Sequence, residues 1–299
     1  MTAVLAALAV VDRARETELL EAALASGAHV VLEGPPGTGK TTLLRRVAAG
    51  RDRSFALVEG NAELTPARLV GHFDPALVLS RGYQPDVFVD GPLLTAMREG
   101  GLLYVEELNR VPEETLNTLL TVMSEREIVV PRLGTVRAAP GFAVVAAMNP
   151  YDAVGTARVS SAVYDRTCRI AMGYQSAEAE AQILAQRAPV PSDDWRDRAV
   201  ALVRATREHS ELRVGSSVRG TIDLAGIGHQ LARARGVAEG DWQAGLDAAL
   251  VALSGRVRVD ESSTRTPEEI IAELYAEHFG PAPSDEAGDP GEEPRPGEA

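Results

Sequence analysis

The segment Gly34-Pro35-Pro36-Gly37-Thr38-Gly39-Lys40-Thr41 constrains this chain more than any other. It fits the G-x-x-x-x-G-K-[ST] pattern, in which glycines let the backbone curl so that its N–H groups face phosphate oxygens. Its flanks suit that geometry. His29-Val30-Val31-Leu32 reads as a short buried strand, and Leu43, Leu44 and Val47 recur at helical spacing after Lys40. The pattern places Gly34 to Thr42 around a nucleotide, with Lys40 on the β- and γ-phosphates and the Thr41 hydroxyl on Mg²⁺. A further observation singles out the lysine. Of thirty basic residues in the chain, Lys40 alone is not arginine, and a loop that wraps one compact ammonium in backbone resists exchange for a planar guanidinium.

Hydrolysis requires more than a phosphate loop. Leu102-Leu103-Tyr104-Val105-Glu106-Glu107 ends an apolar run in two carboxylates, the arrangement in which the first acid orients Mg²⁺ through water and the second polarises the attacking water. Two such acids could also open the following helix, where negative charge favours the dipole. Phe142 to Met148 is an unbroken apolar run closed by Asn149-Pro150. That suits a central parallel strand, at whose carboxyl end Asn149 can reach the attacking water or the γ-phosphate, or simply make a turn.

Four ordered blocks, LEGPPGTGKT, LYVEELNRVPEETLNTLL, EIVVPRLGTV and AAMNPYDAVGTARVSSAVYDR, resemble AAA+ ATPases of the MoxR family, in the subgroup typified by CbbQ, NorQ and GvpN. The resemblance spans about residues 10–279. It implies an α/β P-loop NTPase core with a five-stranded parallel sheet in the order 5-1-4-3-2, followed by a C-terminal all-α lid. It makes Lys40 and Thr41 the phosphate and Mg²⁺ contacts, Glu106 and Glu107 the Walker B acids, and Asn149 sensor 1. Arg166 matches the arginine finger given to a neighbouring subunit, with Arg158 and Arg169 as rivals, and Arg219 matches the sensor 2 arginine. Most relatives carry aspartate where Glu106 stands; the extra methylene moves the carboxylate outward by about a bond length, which a water-mediated Mg²⁺ contact can absorb.

The resemblance further implies ATP and Mg²⁺ as cofactors and a homo-oligomeric ring, usually hexameric. A client protein or metalloenzyme would be remodelled through an adaptor bearing a von Willebrand A domain. A nucleotide-gated scaffold with slow turnover, as in gas-vesicle formation, is the alternative.

The pattern of segments agrees with this organisation. Strands at Phe55 to Val58, Leu102 to Val105, Phe142 to Ala147 and Cys168 to Ala171 alternate with helical stretches over 1–175, with Cys168 expected as a small core residue of the fifth strand. Helices at 176–188, 194–209 and 217–235 follow, then one on which Trp242, Leu246, Ala249, Leu250 and Leu253 share a face. Thr266-Pro267-Glu268-Glu269 starts another with a capping box, so that 176–280 reads as the lid. Two stretches, Ser80 to Pro92 and a hairpin over Glu127 to Arg137, read as insertions, which in the family face the pore or a partner.

Residues 281–299 carry five prolines and a net charge of −5, and are expected to be a disordered acidic tail. The chain's overall −13 argues against a nucleic-acid partner. The single cysteine excludes an internal disulfide. Val4 to Val11 is too short to cross a bilayer, so the chain reads as soluble and cytoplasmic, with no membrane partner. The five histidines are scattered and no G-x-S-x-G elbow exists, which removes rival metal and serine-hydrolase readings.

Overall fold

The structure, a computed structural model, describes residues 10–50, 53–150 and 160–283. Val4 to Ala9, Arg158 and the acidic tail from 284 onward therefore lie outside the described residues. The chain divides into two compact units, at Ser176/Ala177.

In the first unit the elements run α1 (Ala14–Ala25), β1 (His29–Glu33), α2 (Lys40–Gly50), β2 (Phe55–Glu59), α3 (Pro66–Val70), β3 (Gly71–Phe73), α4 (Pro75–Arg81), β4 (Phe88–Asp90), α5 (Pro92–Glu99), β5 (Leu102–Glu106), α6 (Glu113–Glu125), β6 (Glu127–Val130), β7 (Gly134–Arg137), β8 (Ala143–Met148), α7 (Ser161–Arg166) and β9 (Thr167–Ala171). Five strands form one parallel sheet ordered β2-β5-β8-β1-β9. Numbered among themselves along the chain, they read 5-1-4-3-2 from one edge.

Period-2 alternation divides the sheet's side chains between two cores. Val31, Leu103, Val105, Val144 and Ala146 pack on one face with α5, α6 and Val163. Val30, Leu32, Leu102, Tyr104, Val145 and Ala147 pack on the other with α1 and α2. Every residue of β1 and β8 is buried, as strands covered on both faces require. The edge strands differ: in β9 only Ile170 is buried.

This corrects the expectation for Cys168, which is exposed rather than in the core. An apolar run alone does not distinguish a central strand from an edge strand. The stretch Ser80 to Pro92 is also more regular than a loop. It holds the end of α4 and strand β4, and β4 pairs antiparallel with β3. Phe73 stacks edge-on with both Tyr83 and Phe88, which fixes that small ribbon. The hairpin β6–β7 forms over Glu127 to Arg137, with Val130 paired to Gly134.

The second unit is helical: α8 (Ala177–Arg187), α9 (Asp193–Glu208), α10 (Val218–Arg235), α11 (Trp242–Leu253) and α12 (Pro267–Phe279). Thr266 and Glu269 complete the capping box of α12. The unit is not all-α, however: β10 (Leu212–Val214) and β11 (Arg258–Val259) pair as a short antiparallel ribbon. Both strands are too short, at three and two residues, for a periodic sequence signal. Its core gathers Leu184, Ala199, Val203, Leu224, Ala248, Leu253, Ile270 and Tyr275.

One buried group makes the sheet unit's stability depend on pH. His29 opens β1, only 5% exposed, and its Nδ1 accepts the Val144 N–H at 2.9 Å. Burial, aided by the Arg126 charge, lowers its pKa to about 4. Between pH 6.5 and 4 the unfolded chain therefore binds a proton that the folded chain refuses, and stability falls as pH drops through that window. Lowering the pH from 7.5 to 5 should cost the wild-type protein about 2 kcal/mol more than a His29→Gln variant. Urea midpoints at the two pH values measure this, and equal losses would show that His29 is not the group responsible.

Candidate functional site

β1 delivers the chain to the phosphate loop at the carboxyl end of the sheet, between β8 and β9. Gly34 donates its N–H to Met148 O at 3.2 Å, while Met172 N–H donates to Glu33 O at 2.7 Å. The chain after β9 runs so close that a Cβ on Gly34 would stand 2.0 Å from the Met172 carbonyl oxygen. Gly37 and Gly39 adopt φ of 78° and 86°, which turns successive peptide N–H groups without the strain a side chain would bring. Thr38 is fully buried, and its hydroxyl donates to Pro35 O at 3.0 Å. Its carbonyl accepts Arg13 Nη2 at 3.2 Å and Gln175 Nε2 at 3.3 Å. Arg13 Nη2 also donates to Gly173 O at 2.5 Å. The loop is thus pinned from both ends of the unit's chain. Pro36 is the exposed crest of the loop.

Lys40 and Thr41 open α2, where the helix N-terminus adds positive potential. Lys40 Nζ donates to Gly34 O and Pro35 O, each at 2.8 Å, so the ammonium lies within the loop's own cradle. Thr41 Oγ1 donates to Glu106 Oε1 at 2.6 Å. Thr42 continues α2, half-buried. The extra methylene of Glu106 thus carries its carboxylate straight to the threonine hydroxyl. Two hard oxygen donors side by side are what Mg²⁺ takes when it keeps most of its waters. Among the described residues there is no cluster of three or more His, Cys, Asp or Glu that could cage an ion by themselves.

Tyr104 joins this pair, its hydroxyl 3.3 Å from Thr41 Oγ1 and 3.4 Å from Glu106 Oε1. Burial, with Glu106 nearby, pushes the phenol well above its ordinary pKa, so it remains a proton donor. Glu107 follows Glu106 in a left-handed conformation, φ 53°. For a residue with a Cβ that costs about 1–3 kcal/mol and persists only where surroundings enforce it. Here Arg110 N–H bonds to Glu107 O at 2.8 Å, and Gly60 leaves room for the strained peptide, since a Cβ there would meet Glu107 O at 2.4 Å. The Glu107 side chain is 43% exposed and pairs with Arg110 at 3.2 Å. A solvated carboxylate aimed off the strand end by an unusual backbone is suited to accept a proton from water.

Asn149 follows β8, the strand between β1 and β5, so the sheet order sets it between the phosphate loop and the two acids. Arg166 lies elsewhere. Thr167, the next residue, pairs with His29 at the start of β1, while the phosphate loop leaves its end. Four residue steps along a strand separate the two, about 13 Å, so Arg166 stands apart from the phosphate loop. It donates through Nε to Ser124 Oγ at 2.6 Å and through Nη1 to Ala162 O at 3.0 Å. Arg169 is tied to Glu33.

Arg219 is the second residue of α10 in the helical unit, exposed, with no hydrogen bond or ion pair among the described residues. Its helix start is clamped. Arg207 donates to Ser216 O at 2.6 Å and pairs at 2.8 Å with Glu180, which is fully buried, and Ser216 N–H donates to Thr206 Oγ1 at 2.9 Å.

Sequence reasoning missed Tyr104, Glu33, Arg13 and Gln175. Tyr104 was within reach, since a residue two before Glu106 on a strand shares its face. Arg13 and Gln175 meet the loop from 25 and 137 positions away, and no local pattern signals that.

Residues 29–167 match the model of the AAA domain, dynein-related subfamily. An uncharacterized protein of Staphylococcus haemolyticus is 31% identical over 205 residues, covering 67% of this chain and 77% of its own. An uncharacterized protein of Staphylococcus aureus strain USA300 is 30% identical over the same coverage. Among solved structures, a candidate ATPase from Cytophaga hutchinsonii superposes with TM-score 0.50 at 20% identity, covering 91% of this chain and 92% of that one. The Thermotoga maritima RuvB Holliday junction branch migration motor gives TM-score 0.52 at 16% identity, over 79% and 67%. These two likenesses concern the fold. No helix among the described residues is long and apolar enough to cross a membrane. With the phosphate loop, the paired acids and the sheet order in place, the chain belongs to the AAA family of ATPases, in which nucleotide binding and ATP hydrolysis are the family trait.

Proposed function

We propose that the protein is an Mg²⁺-dependent, ring-forming ATPase of the MoxR type that remodels or activates a client protein or metalloenzyme. The observation that carries the reading is the contact of Thr41 with Glu106 beneath a loop that cradles Lys40. Mg²⁺, when bound, neutralises phosphate charge as that charge shifts to the leaving oxygen. Lys40 and the turned loop N–H groups hold the phosphates, Thr41 and Glu106 hold the ion's shell, Glu107 accepts a proton from the attacking water, and Asn149 orients that water. Arg219, which makes no hydrogen bond or ion pair among the described residues, is the candidate sensor 2 arginine through the family resemblance.

Arg166 supports the ring. An arginine matching a finger, yet about 13 Å along the sheet from its own loop, has a role in hydrolysis only in a neighbouring copy's site. Exposed apolar side chains on the two insertions, Tyr83, Val89 and Val129, support a client-facing surface. A von Willebrand A domain adaptor belongs to the same reading through the family resemblance. The acidic balance of the chain gives no support to nucleic acid as client.

Arg166→Ala is expected to lower ATP turnover by about 100-fold or more while leaving ATP affinity unchanged. Mixing it with Lys40→Ala, which has a finger but no working loop, should restore activity at hybrid interfaces. Wild-type turnover by Arg166→Ala, or no recovery on mixing, would defeat the trans assignment. Slow turnover in the wild type, with biological activity kept by Glu107→Gln and lost by Lys40→Ala, would instead favour the assembly-scaffold reading.

A further inference from the structure

Glu33 is the last residue of β1, directly before the phosphate loop, and its carboxylate is only 4% exposed. A buried carboxylate is costly unless it is paired. Glu33 takes both its partners from the far side of the unit's chain: Tyr164 OH donates to Oε1 at 2.6 Å, and Arg169 Nε donates to Oε2. Its own position has little latitude, because its carbonyl accepts Met172 N–H and the following glycine is wedged against Met172 O.

Tyr164 lies on α7, the six-residue helix that ends in Arg166. Two residues along a helix turn about 200°, so Tyr164 and Arg166 leave α7 on nearly opposite sides. Val163, just before Tyr164, is fully buried in the core. One side of the helix is therefore held to the phosphate-loop strand by Tyr164 and the other reaches Ser124 through Arg166. Buried Val163 anchors the helix in the core, and the Tyr164 phenol ties it by a side-chain hydrogen bond to β1.

We propose that Glu33 is a strut through which the phosphate-loop strand sets the orientation of the arginine that the subunit lends to its neighbour, with Tyr164 as the positioning residue and Arg169 as the strut's second tie. The proposal rests on Arg166 acting in trans. It also gives Arg169 a role other than that of a rival finger.

The test is Tyr164→Phe, made in the wild-type protein and in Arg166→Ala. Arg169 remains on the Glu33 carboxylate, so loss of the hydroxyl should lower the thermal midpoint by only a few degrees, equally in both backgrounds, and leave ATP affinity unchanged. Turnover should fall about tenfold in the wild-type background, the scale of a small misplacement of a catalytic group, and not at all in Arg166→Ala. Glu33→Gln, which keeps an acceptor for the phenol, should retain more turnover than Glu33→Ala. Wild-type turnover by Tyr164→Phe, or an equal loss in both backgrounds, overturns the strut while leaving the trans assignment intact. Wild-type turnover by Arg166→Ala removes both together.

Discussion

Glu107→Gln is expected to lower ATP turnover by about 10²–10⁴-fold, the usual contribution of a positioned general base, with nucleotide affinity preserved. The substitution keeps shape and hydrogen-bonding reach, and removes the capacity to take a proton together with the charge that pairs with Arg110. The backbone argues for this residue over its neighbour. Glu106 is bonded to Thr41 and engaged with the ion-binding pair. Glu107, by contrast, stands in a left-handed conformation that carries its carboxylate away from the strand into solvent reach. A strained residue at the end of the acid-bearing strand points to a constraint imposed by function, because the strain has no packing benefit: the side chain is half-exposed. Steady-state turnover and equilibrium binding of ATP, measured on the same preparation, separate the two roles. Parallel loss of binding and turnover would place Glu107 among the ligand contacts.

Gly34→Ala is expected to destabilise the sheet unit strongly, by about 3 kcal/mol or more. The added carbon would sit 2.0 Å from Met172 O and 3.0 Å from Met172 C. Both are backbone atoms, held by the pairing of β1 with β9 and by the Met172 N–H to Glu33 O bond, so relief requires separating the strand from the phosphate loop. The helical unit supplies a contrast in Gly226. It lies within α10, and a Cβ there would meet nothing within 4 Å, so Gly226→Ala should stabilise by about 0.4–1 kcal/mol. Urea midpoints read both. Similar values for the two substitutions would show that the approach of Met172 to the loop is not tight.

Much of this site was legible in sequence because each part is local. The loop, the acid pair and Asn149 each terminate an apolar run, and parallel strands flanked by helices must bring their carboxyl ends to one edge. Lys40, Thr41 and Glu106 accordingly converge. The parts that were not legible depend on distant pairings. Cys168 looks like a core residue in isolation, and only the strand order reveals that β9 is an edge. The ribbon of β3 and β4 joins segments of three residues each, too short for periodicity. Its register rests on Phe73 meeting Tyr83 and Phe88. Glu33 reads in sequence as a charge that merely ends a strand; its burial and its two partners, 131 and 136 positions away, exist only in the fold.

Calorimetric titration of the folded wild-type protein with ATP in the presence of Mg²⁺ tests the central claim most directly. Saturable heat that disappears in Lys40→Ala, at unchanged thermal midpoint, is the predicted result. No heat with wild type, or the same heat with the variant, would contradict the claim that the lysine-centred loop is a nucleotide site.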